Sequence, residues 1–208
     1  MNQVLFVKAN CRSVNQSVSV KLYHAFLENY QKSHPSDRIT ELDLYAEDLP
    51  YYDNDMMNGM YKLRKDVELS PPEQKYTNLI MRYLNQFVAA DKAVFAFPMW
   101  NTTVPAVLHT YMDYLNQPGK TYRYTPDGAI GLMNSKKVAL LHARGGVYSS
   151  GPAVEAEMAV RFMKHNLKLF GIDDIVSVIV EGHNQYPEQQ QRIIEMGIES
   201  AARAAINF

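Results

Sequence analysis

The stretch Asp91-Lys-Ala-Val-Phe-Ala-Phe-Pro-Met-Trp-Asn-Thr102 restricts the fold more than any other. Val94, Phe95, Ala96 and Phe97 form an apolar run, rich in strand formers and too short to span a membrane, which predicts a strand covered on both sheet faces. Pro98 stops strand pairing, and Asn101, Thr102 and Thr103 offer caps for a helix beginning near Val104 and Pro105. In an α/β protein a ligand binds at such a place, where the carboxyl end of a strand meets a helix amino terminus. The segment reads as a cofactor-binding loop.

The rest of the chain repeats the pattern. Val4–Val7 predicts a first buried strand, followed by the polar loop 9–16. A helix is expected over about Ser17–Ser33, with Val18, Leu22, Phe26 and Tyr30 along one face. Ile39–Tyr45 reads as a second strand and 46–60 as a long loop, whose Met56, Met57 and Met60 suggest dimer packing or a mobile lid. Pro71 and Pro72 open a helix running to about Ala90. The third strand, 92–98, precedes a helix over about 104–116. Lys120–Gly128 predicts a short ribbon or turn around Pro126-Asp127-Gly128. A fourth strand at Val138–His142, a helix over 153–169, a fifth strand at Ile175–Val180 and a helix over 187–206 complete the chain. Strand and helix alternate five times without a repeat or linker. The expected architecture is a single domain, 1–208, with a flavodoxin-like, doubly wound, five-stranded parallel sheet and helices on both faces.

Composition narrows the class of partner. The formal net charge is −1, which gives no global attraction to nucleic acid or to anionic membrane. No apolar run approaches the roughly 20 residues of a membrane span, and the amino terminus lacks the pattern of a signal peptide. Cys11 is the one cysteine, so no intramolecular disulfide can form, which suits a reducing cytoplasm.

Three loops then open onto the same carboxyl edge of the sheet. The first carries Asn10, Ser13, Asn15, Gln16, Ser17 and Ser19, and the helix start behind it can hold a dianionic phosphate. The second supplies Met99, Trp100 and Asn101, suited to a flat heteroaromatic ring. The third, Ala143-Arg144-Gly145-Gly146, has two glycines that let main chain approach a ring edge. Taken singly, Ser17 reads as an ordinary cap, Trp100 as a core residue and the glycine pair as a plain turn. Together they suggest flavin mononucleotide (FMN). The dinucleotide fingerprint Gly-x-Gly-x-x-Gly, the phosphate loop of nucleotide hydrolases and the Gly-x-Ser-x-Gly elbow are absent. The six histidines show no metal-ligand spacing and read as surface or core residues.

Four segments, 97–101, 104–108, 119–126 and 143–146, resemble the FMN-dependent NADH-azoreductases, a family of flavodoxin-like quinone and azo-compound reductases, over nearly the whole chain. The resemblance implies a homodimer with FMN near the subunit interface. It implies Ser17, Val18 and Ser19 at the phosphate, Met99, Trp100, Asn101 and Thr102 at the ring and ribityl chain, and Ala143, Arg144, Gly145 and Gly146 at the other ring edge. Asn10, Cys11 and Arg12 stand where many relatives carry Ser or Asp, so Ser17 and Ser19 are preferred as phosphate ligands over Asn10 and Arg12. Ala143 replaces a common Ser or Thr.

The implied reaction passes a hydride from NADH to the flavin and then electrons to a quinone or azo acceptor, in ping-pong order, with the chemistry carried by the cofactor. Asn101 is the side chain expected to orient flavin or acceptor. Tyr51, Tyr122, Tyr124 and Tyr148 are candidate walls of the acceptor site. Cys11 reads as an unreactive small residue. Two other classes remain open, an FMN electron carrier and a non-catalytic FMN-binding regulator. The near-neutral charge counts against the carrier, and rapid NADH oxidation would exclude both.

Overall fold

The computed structural model describes all residues, 1–208. In chain order the elements are β1 (Gln3–Lys8), α1 (Val18–Ser33), β2 (Arg38–Asp43), α2 (Asn54–Arg64), α3 (Pro71–Ala89), β3 (Lys92–Pro98), α4 (Ala106–Leu115), β4 (Tyr122–Thr125), β5 (Gly128–Gly131), β6 (Lys137–Arg144), α5 (Ala159–Leu169), β7 (Ile175–Glu181) and α6 (Gln190–Ile206). Five strands form one parallel sheet in the order β2-β1-β3-β6-β7, and β4 and β5 pair as a separate antiparallel ribbon. This is the flavodoxin-like order, whose direction of winding reverses between β1 and β3.

Alternation along β3 divides the core. Ala93, Phe95 and Phe97 join a layer packed beneath α3, α4 and α5, while Val94 and Ala96 join one packed beneath α1 and α6. Both layers are closed to water. That is why β3 and β6 read as continuous apolar runs.

Helix starts follow side-chain chemistry. Ser17 caps α1, its Oγ accepting from the Val20 amide at 3.4 Å. Ahead of α3, Glu73 accepts from the Ser70 amide at 2.7 Å, and Pro71 occupies the first turn, where its missing N–H costs nothing.

Four sequence expectations need correction. The long loop over 46–60 is half helix, because Asp53 accepts from the Met56 amide at 2.9 Å and starts α2. Met56 and Met60 are consequently core residues rather than lid or dimer-packing side chains, and only Met57 is exposed. The helix expected over 153–169 is broken into a 3₁₀ turn at Pro152–Ala156 and α5. Asn101 and Thr102 do not cap α4, which begins only at Ala106, behind Pro105.

Candidate functional site

A cleft of about 460 Å³ opens at the carboxyl ends of β1, β3, β6 and β7. Its floor on one side is the loop after β1. That loop leaves the sheet under the control of the Ala9 amide, which bonds to Ala96 O at 2.9 Å. Asn10 follows and is 1 % exposed. Its Nδ2 donates to Ser17 Oγ at 2.8 Å and to Ser19 Oγ at 3.0 Å, and its Oδ1 accepts from the Arg12 amide at 2.9 Å. Sequence reasoning preferred the two serines and passed over the asparagine that holds them. By helix geometry the amides of Val18 and Ser19 have no intrahelical acceptor, and the first turn of α1 carries no acidic residue. Arg12 and Lys21 line the same cleft, and no carboxylate does. The arrangement suits an anion.

The opposite wall is built from main chain. Met99 donates its amide to Ala143 O at 2.9 Å, tying the loop after β3 to the loop after β6. Trp100 and Thr103 then exchange both main-chain hydrogen bonds at 3.0 Å, closing a two-residue turn in which Asn101 has φ 48° and Thr102 φ 67°. Both lie in the left-handed region, where a β-branched residue such as Thr102 is strained. The Met158 amide, donating to Thr102 O at 3.0 Å, helps hold it there. Half-buried Trp100 packs edge-on to Tyr45, with ring centroids 6.3 Å apart. The Trp lines both the polar cleft and an apolar groove of about 550 Å³ that also includes Tyr51, Asn101 and Pro105.

A fourth loop, after β7, completes the cleft and was not anticipated. The amides of Asn184 and Gln185 donate to Gly145 O at 3.0 and 3.1 Å, and the Gly182 amide donates to Gly146 O at 3.2 Å. Gln185 Oε1 accepts from the Val147 amide at 2.8 Å. A Cβ on Gly145 would lie 2.5 Å from Asn184 Nδ2, so the two loops meet this closely only because that residue is glycine. Gly182, at φ 80°, supplies the turn that brings its loop over.

Beneath this clasp Arg144 is buried in a set of ion pairs. Its Nη2 and Nε lie 2.7 and 2.9 Å from Glu181 Oε2, and its Nη1 lies 3.5 Å from Glu157 Oε1. Glu181 also accepts from the Tyr148 and Ser149 amides, at 2.9 and 3.1 Å, and from the Ser149 hydroxyl. Burial pushes its carboxyl up, but the hydrogen bonds from Ser149, Tyr148 and Arg144 more than offset this and hold it below the usual range. Glu157 caps α5, accepting from the Val160 amide at 2.8 Å. Arg144 is therefore a brace under the loop rather than a side chain offered to a ligand. His142, two residues earlier on the same face of β6, is fully buried with Nδ1 3.1 Å from Phe97 O. Burial, then the Arg144 charge, push its pKa down to about 3.

Ser17, Val18, Ser19, Met99, Trp100, Ala143, Arg144 and Gly145 all line the one cleft. Asn101 lies at the apolar groove, with Thr102 exposed beside it, and Gly146 stands under Tyr148. The four tyrosines do not come together. Tyr51, 78 % exposed, lines the apolar groove. Tyr148 stacks on the Arg144 guanidinium at 5.6 Å. Tyr122 is 7 % exposed in the core, and Tyr124 is 73 % exposed on the ribbon. That ribbon is rooted at the amino-terminal edge of the sheet, where the Met133 amide bonds to Phe170 O, so neither tyrosine reaches the cleft of its own chain. Cys11 is exposed at the cleft rim.

The family model of the flavodoxin-like fold matches residues 2–204. The chain belongs to that family. A protein of Brevibacillus brevis named FMN-dependent NADH:quinone oxidoreductase is 56 % identical over the full length of both chains. The crystal structure of an azoreductase from Bacillus anthracis str. Sterne superposes with a TM-score of 0.98 at 54 % identity, covering all of both chains. A second Bacillus anthracis structure, from str. Ames Ancestor, is of an FMN-dependent NADH-azoreductase in complex with FMN. It superposes with a TM-score of 0.86 at 27 % identity, covering 99 % of this chain and all of the other.

Proposed function

We propose that this chain is an FMN-dependent oxidoreductase that uses NADH to reduce quinones and to cleave aromatic azo compounds to amines. One observation carries the reading: a single cleft joins an anion site on α1 to a flat, main-chain-lined wall. This chain is 56 % identical, over its full length, to a protein named FMN-dependent NADH:quinone oxidoreductase. The residues present fit FMN. An anion site without a carboxylate suits its phosphate, and the glycine-lined wall admits a planar ring edge.

Ser17, Val18 and Ser19 would hold the phosphate, with Asn10 fixing both hydroxyls. Met99, Trp100, Asn101 and Thr102 would meet the ring and ribityl chain, and Ala143–Gly146 the other ring edge. When bound, FMN supplies the redox chemistry, accepting a hydride from NADH and returning two electrons to the acceptor in alternating half-reactions. The protein's part is positional. Asn101 presents its amide from a turn fixed by two main-chain bonds, and Tyr51 and Trp100 offer aromatic surface to a planar acceptor.

The 208 residues are read as one FMN-binding domain, since both core layers share one sheet. Two copies are expected to associate. Exposed Tyr45 and Tyr51 beside the cleft, exposed Met158 and the solvent-exposed ribbon with Tyr124 and Ile130 support a homodimer. No helix is long and apolar enough to cross a membrane. The free, exposed Cys11 fits a reducing cytoplasm.

An anaerobic visible spectrum tests the reading. A yellow protein that bleaches with one equivalent of NADH per flavin, and recovers on adding a quinone or azo dye, is the expected result. A bound flavin that resists NADH would indicate a carrier, and a protein that cannot be loaded with FMN would overturn the cofactor assignment.

A further inference from the structure

The apolar groove behind Trp100 has one basic side chain, His109. Its other walls are aromatic, aliphatic, hydroxyl and amide groups, and no lysine, arginine, aspartate or glutamate lines it. His109 lies one turn into α4, its amide donating to Pro105 O at 3.2 Å. Helix side chains lean toward the amino terminus, and that end of α4, from Val104 to Ala106, borders the groove. Two contacts fix the ring. Phe162 of α5 stacks on it, with centroids 4.6 Å apart and planes 21° apart. Asp113, one turn further along α4, has Oδ2 3.5 Å from Nδ1. Nδ1 is thus turned toward the carboxyl end of the helix, which leaves Nε2, on the other side of the ring, to the groove. The side chain is 54 % exposed, so a ligand can reach it.

We propose that His109 selects the electron acceptor, its imidazolium Nε2 donating to an anionic substituent, sulfonate or carboxylate, on an aromatic acceptor seated in the groove. The proposal rests on the reductase reading above. Trp100 lines both the polar cleft and the groove, so a planar acceptor lying against it continues toward His109. Apolar sites orient their ligands with few polar groups, and an acidic substituent meets no carboxylate among the lining residues. Asp113 holds a proton on Nδ1, so the ring's second proton sits on Nε2, where an anion that only accepts can use it. Burial pushes the Asp113 carboxyl up, and the imidazole beside it works the other way. From α5 the ring meets uncharged Phe162, and the other titratable groups of the groove are Tyr45 and Tyr51.

The experiment separates the anionic substituent from the rest of the acceptor. The full-length, FMN-loaded chain is assayed at pH 6 with NADH and two dyes, 4-dimethylaminoazobenzene and its 4′-sulfonate. The ratio of kcat/KM for the sulfonated over the plain dye is read, and it cancels any shared effect on folding or flavin content. His109→Gln, which keeps polarity and removes the charge, is expected to lower that ratio about tenfold through KM for the sulfonated dye, as for loss of one hydrogen bond between charged groups. His109→Lys returns a cation to the same turn and is expected to hold the ratio within about threefold of the unaltered chain. An unchanged ratio in His109→Gln, or an equal loss in both variants, would overturn the assignment. If the unaltered chain reduces neither dye, the functional reading itself falls, which is a different result.

Discussion

The two ends of the cleft are held by opposite means. At the α1 end a buried asparagine grips two serine hydroxyls, and every backbone angle is ordinary. At the ring end the wall is main chain, bent through two left-handed residues and braced from below by a buried arginine between two glutamates. One end is chemically specific and relaxed. The other is chemically plain and under strain. Selectivity for an anion needs particular donor atoms, whereas close approach of a flat ring needs backbone held in an unfavourable shape. That shape persists only when neighbours over-determine it.

The brace offers the sharpest way to break this contrast. Arg144→Met would leave the buried Glu157 and the partly buried Glu181 without their cation, and a loss of about 3 kcal/mol in urea unfolding is expected. A loss below about 1 kcal/mol would mean that the ring end stands without its support. The next largest effect involves pH. His142 titrates near 3 when folded, against about 6.5 when unfolded, so the unfolded chain alone takes up the proton between those values. Stability should therefore fall as pH drops, by about 2 kcal/mol from this group between pH 7 and 5. His142→Gln should flatten that slope, and an unchanged slope would remove His142 from the account.

At the relaxed end, Asn10→Ala should weaken FMN binding about tenfold, because both hydroxyls lose the donor that aims them. Titration would show little change if the serines hold position unaided. The smallest effect should be a gain. Thr102→Gly relieves a β-branched residue at φ 67° and should stabilise the fold by about 1 kcal/mol. Destabilisation would show that the turn carries no strain.

The sheet was legible because a parallel strand buried on both faces leaves an unbroken apolar run, as in Val94–Phe97 and Val138–Leu141. The α1 end was legible because Ser17 and Ser19 are side-chain donors at a helix start. The Asn101-Thr102 turn was misread because asparagine and threonine are also common caps, and distant groups decide between the roles. Here the Met158 amide settles the matter. Helix α2 was hidden by polar and small residues, its apolar contribution being mainly Met56 and Met60. The loop at 182–186 carried no pattern of its own. The available signal was Gly182, a glycine at a strand's carboxyl end, which matches the position of Gly145 after β6. Tyr122 and Tyr124 were misplaced because α4 returns the chain to the far edge of the sheet, which a count of crossings reveals and residue type does not.

The four loops of the cleft lie at 9–19, 98–103, 143–149 and 182–186, spread across almost the whole chain. A nascent polypeptide halted near residue 150 would already have β1, β3 and β6 to pair. It would still lack the carboxylate of Glu181 that anchors Arg144 and the amides that clasp Gly145. Cofactor capture thus waits until β7 and the loop after it have been made, and an interrupted product is left with an open, unbraced pocket.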